Sequence, residues 1–390
     1  MSDYAQLPHT PTLETLPFRL STPPEELQEL RDLVHLSKLG PRTYENSSAG
    51  GKYGVEYAWM AEAKERWAEG FDWTAVEALV NEYPNFKAKV VDDDGATYSI
   101  HFIGLFSQKK DAIPLMCIHG WPGSFLEFIG FLSALKTKYT PENLPYHVII
   151  PSLPGYGFSD SPPVDRNWVL QDSARLLHKL MVGLGFEGGY AVQGGDIGSY
   201  TARIMARAYD SCKALHLNFC AMTCPEEAAD TPLEAYERDA LERSDKFVKF
   251  GTAIGEKFLT WTHETPSMDE ILASVTLYWL TQTFPRGIYP YRQEVIDDTR
   301  GSMSDAECRR VIKDGAKRYM FHPDPEYYCE KPMGYSWFPY EIVPVPKAWA
   351  ATTGNLVWYR PHEKGGHFAA YEQPEALLGD VEDFLKQVWV

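Results

Sequence analysis

The 390-residue sequence has no apolar run approaching the ~18 residues that span a bilayer. Its first residues, Met-Ser-Asp, lead into a polar, proline-rich stretch with none of the charged-then-apolar pattern of a secretory signal. A soluble protein is expected, and a cytoplasmic one. Basic residues are in short supply too: 37 Lys and Arg against 54 Asp and Glu leave a net charge of −17. Such a surface repels phosphate backbones and anionic lipid heads, so neither nucleic acid nor a membrane is an expected partner. The six cysteines, Cys117, Cys212, Cys220, Cys224, Cys308 and Cys329, are scattered and include no Cys-x-x-Cys pair. That spacing speaks against a zinc site or a disulfide framework and for reduced, buried thiols. There is no internal repeat and no low-complexity segment.

What is present is core material. With 44% apolar residues the chain can build one large α/β domain with insertions, or two domains. Pro8, Pro11 and Pro17 predict that residues 1 to 17 form an extended arm lying on something else. Ser21-Thr22-Pro23-Pro24-Glu25-Glu26 opens a helix, with a hydroxyl cap, proline in the first turn and acids at the positive end of the dipole. Two more helical patterns run from Tyr57 to Ala68 and from Trp73 to Tyr83, and Trp59 and Trp67 in the first read as packing aromatics. Lys87 to Val91 and Thr97 to Ile103 flank Asp92-Asp93-Asp94-Gly95, a β-hairpin with an acidic turn. That turn lacks the later Glu ligand of a calcium loop.

From Ile113 the pattern becomes strand, Gly-rich turn, helix, strand, which is how a parallel α/β sheet is written. Pro114 to Ile118 is a continuous apolar run suited to a strand covered on both faces. Strands follow at Tyr146 to Ile150, Gly189 to Val192 and Ala214 to Asn218, with an amphipathic helix from Leu170 to Leu184. Between Cys224 and Pro332 the strand signal stops, and helical stretches such as Asp269 to Thr283 take over. An insertion at that point is placed to cover the carboxyl ends of the strands, where ligands bind. The sheet resumes at Gly334 to Phe338 and Asn355 to Tyr359, before a last helix from about Glu375 to Val388. The expected organisation is an arm over residues 1–110, the first part of a core over 111–223, a helical lid over 224–332 and the rest of the core over 333–390.

The stretch Gln193-Gly194-Gly195-Asp196-Ile197-Gly198-Ser199 lies between a buried strand and a helix. A small-x-acid-x-small pentapeptide in that setting is a nucleophile elbow whose nucleophile is a carboxylate. The competing reading is an ordinary loop with Asp196 as helix N-cap. After the last strand, Lys364-Gly365-Gly366 leads into His367, which a Gly-rich loop can hold facing the elbow. An acid orienting that histidine should lie between the two, near the end of the preceding strand. Glu341 sits there, just after Trp337-Phe338-Pro339-Tyr340, with Asp324 as its competitor. An aspartate nucleophile makes sense against an electrophilic sp3 carbon, with which it forms an ester that water must hydrolyse. His367 would activate that water, and the backbone N–H groups of Trp121 and Ile197 would hold the oxyanion.

Taken together, His119-Gly120-Trp121-Pro122-Gly123-Ser124, Gly194-Gly195-Asp196-Ile197-Gly198 and Gly365-Gly366-His367-Phe368-Ala369-Ala370-Tyr371-Glu372 resemble, in order, the motifs of epoxide hydrolases of the microsomal and juvenile-hormone type. Pro17-Phe18 and Trp67 with Trp73 resemble that family's N-terminal arm. The resemblance covers nearly the whole chain. It implies an α/β-hydrolase fold with a mostly parallel sheet, a helical lid and a wrapping arm, and a cofactor-free, metal-free opening of a small-molecule epoxide with water to a vicinal diol. It also implies Asp196 as nucleophile, His367 as base, Glu341 as acid and a homodimer as an expectation. Two lid tyrosines assist the leaving oxygen in that family, and Tyr291 matches one of them through Phe284-Pro285-Arg286-Gly287-Ile288-Tyr289-Pro290-Tyr291-Arg292. The segment carrying the other is absent, since Lys249-Phe250-Gly251-Thr252-Ala253 runs straight into Ile254-Gly255-Glu256-Lys257-Phe258. Tyr236 or Tyr278 could substitute, without support from spacing. The loss keeps open a non-hydrolytic descendant, such as a cyclase or an inactive protein. A haloalkane dehalogenase is a further alternative, opposed by Ile197 where that family carries tryptophan.

Overall fold

A computed structural model describes residues 3–51, 54–222, 224–250, 257–290 and 328–389. Among them a nine-stranded sheet carries the molecule. Its strands are β1 (Thr15–Phe18), β2 (Asn85–Val91), β3 (Thr97–Leu105), β4 (Ile113–Ile118), β5 (Tyr146–Pro151), β6 (Tyr190–Gly194), β7 (Cys212–Leu217), β8 (Cys329–Trp337) and β9 (Gly354–Pro361), in the order β1-β2-β3-β5-β4-β6-β7-β8-β9. From β5 to β9 every pairing is parallel. The apolar run predicted for β4 follows from that: strand side chains alternate in direction, and both directions are covered. Leu115 and Cys117 belong to one core cluster with helices α4 (Ile129–Lys138) and α9 (Pro374–Val388). Met116 and Ile118 belong to the other, with α5 (Leu170–Gly183) and α6 (Asp196–Ala208).

The hairpin read from the sequence, β2 with β3, is present, but it is not a separate layer. β3 pairs antiparallel with β5 through Phe102 opposite Pro151, and β1 pairs antiparallel with β2. The arm thereby becomes an antiparallel extension of the parallel sheet, and one sheet runs across residue 110. Its acidic turn is partly buried for a reason local sequence does not show. Asp92 accepts from the Arg175 guanidinium of α5 at 2.7 and 2.9 Å, which holds its carboxyl down at about 2. β8 starts at Cys329, earlier than the expected Gly334. Pro332 cannot donate to a ladder, so the sequence pattern breaks there, but a register shift between Cys329 and Pro332 absorbs it.

The arm also supplies α1 (Pro24–Leu36), α2 (Tyr57–Glu65) and α3 (Trp73–Asn81). Above the sheet lie α7 (Ala235–Phe250) and α8 (Met268–Leu280), the latter opened by a Ser267–Glu270 capping box. The arm grips α8 from outside: Arg66 makes a two-pronged pair with Asp269 at 2.8 and 2.6 Å, and the Trp67 indole N–H donates to Thr276 Oγ1 at 2.9 Å. Cys117, Cys212, Cys220 and Cys329 are buried free thiols, Cys224 is exposed, and Cys308 lies outside the described residues. No helix among the described residues is long and apolar enough to cross a membrane.

Candidate active site

β6 ends at Gly194 and α6 begins at Asp196, so only Gly195 joins them. A turn that tight sets Asp196 at φ 47°, a left-handed conformation that costs a non-glycine residue on the order of 1–3 kcal/mol. The surrounding backbone enforces it. A Cβ on Gly194 would lie 2.3 Å from the Gly198 carbonyl oxygen, and one on Gly198 would lie 2.2 Å from that of Ile118. These two glycines let α6 press against the ends of β4 and β6, which leaves the Asp196 side chain over the sheet's edge. The N-cap position is occupied by Gly195, so Asp196 is not the cap of its helix.

The turn after β4 meets this carboxylate with its backbone. Trp121 N–H donates to Asp196 Oδ1 at 2.8 Å, and the nearby Ile197 N–H also favours the charged carboxylate. His119 pins that turn, its buried ring accepting from Leu153 N–H at 3.1 Å through Nε2 and donating from Nδ1 to Gly120 O at 2.9 Å. Burial holds its pKa down at about 4, so it stays neutral.

His367 reaches Asp196 Oδ2 with Nε2 at 3.1 Å and Glu341 Oε1 with Nδ1 at 2.6 Å. Two backbone contacts set this reach. Tyr340, next to Glu341, pairs with Gly366, next to His367, and His367 N–H donates to Trp261 O at 2.8 Å. Glu341 is 3% exposed and His367 5%, so the chain of three sits out of water. Burial opposes a charged imidazole, yet the carboxylates of Glu341 and Asp196 outweigh it and lift His367 to about 10. Burial likewise pushes Asp196 up, and the hydrogen bond and charge of His367 with the N–H groups of Trp121 and Ile197 bring it below the ordinary value. The resting pair is therefore carboxylate and imidazolium. Asp324, the competitor of Glu341, lies outside the described residues.

One cavity adjoins the carboxylate, and a second lies beyond Trp121. The first, a small one of about 20 Å³, is bordered by Asp196, His367, Glu127, Asn218 and Phe128. The second, larger at about 440 Å³, is almost wholly apolar, with Trp59, Trp67, Phe258, Tyr278 and Phe284 in its wall, and Trp121 borders both. Trp59 and Trp67, read from the sequence as packing aromatics, thus face a cavity between arm and lid. Tyr291 lies outside the described residues. Of the two substitute tyrosines, Tyr236 is on α7 against Trp337 and Tyr359. Tyr278 comes to the site: its hydroxyl donates to Gly123 O at 2.8 Å, and it senses Glu127 and Asp196. Burial, with those two carboxyls, lifts its pKa well above the usual phenol value, so it is a neutral donor. Glu127 and Tyr278 carry no local motif of their own; the only signal was that Glu127 lies three residues after Ser124, which reads as a capping box.

Residues 15–128 match the family model described as "Epoxide hydrolase N terminus", and residues 113–270 match that of the alpha/beta hydrolase fold. The chain is similar to the solved structure of Aspergillus niger epoxide hydrolase, with 40% identity, a TM-score of 0.87, and 99% of this chain and 100% of that one covered. It is 28% identical over 429 residues to epoxide hydrolase 1 of Sus scrofa, covering 95% of this chain and 88% of the relative. That alignment is longer than the chain itself, so the relative carries residues that this chain lacks. The juvenile hormone epoxide hydrolase of the silkworm Bombyx mori shares the fold, with 23% identity, a TM-score of 0.73, and 96% and 95% of the two chains covered.

Proposed function

The chain belongs to the epoxide hydrolases of the α/β-hydrolase fold, and from that premise we propose that Asp196 Oδ2 is the atom that attacks the epoxide carbon. The single observation behind this assignment is the division of labour between the two carboxylate oxygens. Oδ1 is held by the Trp121 N–H at 2.8 Å, and Oδ2 lies on the side of His367 at 3.1 Å. Attack through Oδ2 forms a carbon–oxygen bond and breaks one of the ring, and Oδ1 becomes the ester carbonyl already held by the Trp121 N–H. The opening oxygen takes a proton from a phenol. Tyr291 is the donor implied by resemblance, and Tyr278 is the phenol that the described residues bring to the site.

Esterification removes the Asp196 charge, one of the two that lift His367. The phenolate then recovers its proton from the imidazolium, and neutral His367, oriented by Glu341, becomes the base. Water adds to the ester carbon while His367 takes its proton. The intermediate's charge collects on Oδ1, the bond from the ester carbon to Oδ2 breaks, and the departing alkoxide, which carries Oδ2, takes up the carboxyl proton to leave as diol. Carboxylate and imidazolium are restored, and the net reaction is epoxide plus water to vicinal diol. Neither the dehalogenase nor the non-hydrolytic reading is favoured by the relatives, which are epoxide hydrolases. The apolar cavity of about 440 Å³ supports an apolar epoxide as substrate. The homodimer rests on the resemblance alone, and sedimentation velocity tests it.

The test is to quench a reaction with styrene oxide and weigh the Asp196 peptide. The wild type should carry a transient adduct, and His367→Ala should accumulate it with turnover reduced about 10²- to 10⁴-fold. Diol formation with no adduct in either protein would exclude the two-step route.

A further inference from the structure

One buried acid beside the nucleophile has no part in the steps above. Glu127 lies in the short 3₁₀ turn Phe125–Phe128 that follows the Trp121 loop, and is 9% exposed. Its Oε1 accepts from Ser124 N–H at 3.0 Å, closing a capping box. A capping box explains that one bond, but such boxes work equally well in water. It does not explain why the carboxyl is buried at the wall of the small cavity, where its second oxygen has no protein donor among the described residues. Burying a carboxyl costs free energy unless something uses it. Space has been kept for it as well: a Cβ on Gly123 would lie 1.3 Å from Glu127 Oε1.

The cavity fits one occupant. Its volume of about 20 Å³ suits a single water, which needs roughly 10–15 Å³ and two to four polar partners. Glu127, His367, Asp196 and His119 are its ionisable borders, His119 being held neutral by burial and bonded through both ring nitrogens to backbone, and Phe128, Phe368 and Leu377 close it with apolar walls. We propose that Glu127 holds the hydrolytic water against His367 Nε2 and the ester carbon of Asp196, so that it serves the second half-reaction and not the first. The bonds are those of ester hydrolysis: water oxygen to the Asp196 carboxyl carbon, water proton to His367, and cleavage of the bond from that carbon to the diol oxygen. Burial supports the role by pushing Glu127 up to about 8, so it adds little negative charge beside Asp196 while the epoxide is being attacked. The inference rests on the ester route proposed above.

The experiment is a rapid-quench single turnover with styrene oxide at pH 7, following adduct formation and decay on the Asp196 peptide separately. In Glu127→Ala, formation should stay within about twofold of wild type while decay slows about 10²-fold, so that kcat and KM fall together. Glu127→Gln keeps a hydrogen-bonding group and should recover part of the decay rate. Glu127→Asp shortens the side chain without removing the carboxyl and should reproduce the selective slowing of decay, which keeps the test open if Glu127→Ala folds poorly. Equal slowing of both phases, or decay at the wild-type rate, would overturn the role of Glu127 and leave the ester route standing. Absence of any adduct in wild type would take both down.

Discussion

The floor of the active site and its roof are built on different principles. On the floor, Asp196, Trp121, Glu341 and His367 project from ends of neighbouring strands, and backbone bonds such as Tyr340 N–H to Gly365 O and His367 N–H to Trp261 O fix their spacing. On the roof, Tyr278, Phe258 and Phe284 come from helical segments held by side chains, among them the Arg66–Asp269 pair and the Trp67–Thr276 bond. A ladder of main-chain bonds does not depend on which side chains decorate it. The difference teaches that the ester chemistry is tied to sheet geometry, whereas proton donation and substrate fit are tied to packing, where a family can change its lid and keep its reaction.

The contrast can be broken most sharply at Glu341. Glu341→Gln leaves Asp196 in its N–H cradle but takes from His367 the charge that orients it. Ester decay should slow about 10²- to 10⁴-fold with formation little changed, as resolved by single-turnover quench. A loss confined to ester formation would contradict the assignment of Glu341 to the base.

Tyr278→Phe probes the roof and should act on the opposite phase. Formation of the ester should slow by about 10²-fold and its decay should not, if Tyr278 is a working donor. Should Tyr291→Phe alone show this loss and Tyr278→Phe none, the described phenol is a wall residue and proton donation belongs to the other tyrosine.

A smaller effect is expected in stability against pH. An unfolded histidine titrates near about 6.5, while His367 in the fold is lifted to about 10. The folded state therefore binds the proton more tightly, and its contribution is complete below about pH 6.5 and is lost as pH rises toward 10. Glu127 and Glu372, pushed up by burial to about 8 and about 7, bind protons more tightly when folded and act in the same direction below those values. Between pH 8 and 10 the buried thiols Cys117 and Cys212, pushed up by burial, lower stability in the same direction, so the histidine's share is read by difference in urea unfolding: His367→Asn should lessen the fall there. A wild-type stability that rises across that window would contradict the imidazolium assignment.

The smallest effect belongs to the clamp between arm and lid. Arg66 and Asp269 are about half exposed, so Arg66→Ala should cost no more than about 1 kcal/mol in urea unfolding. Any functional change should appear in KM, since the pair holds α8 over the apolar cavity and touches no reacting atom.

Sequence legibility follows the same divide. Gly194, Asp196 and Gly198 could be read because a strained elbow demands small residues at fixed offsets from the residue at its apex. His367 and Glu341 could be read because strand order dictates where an orienting acid must emerge. The β2–β3 hairpin was legible, but its docking beside β5 was not, since an edge pairing leaves no mark on local periodicity. Glu127 was not legible as a site residue, and Tyr278 could be named but not separated from Tyr236: their placement depends on which helix face meets which loop, and neighbouring positions carry no trace of that.

The sequence by itself thus determined the elbow, the order in which Asp196, Glu341 and His367 follow one another, and the alternation of strands and helices that places them at one sheet edge, because backbone geometry imposes those requirements locally. Only the tertiary structure decided that Trp59 and Trp67 line a cavity, that the Tyr278 hydroxyl reaches Gly123 O and that Glu127 is buried at the same small cavity as His367. Each of these needs two segments far apart in the chain to pack at one distance, and side-chain packing is a property of the assembled core.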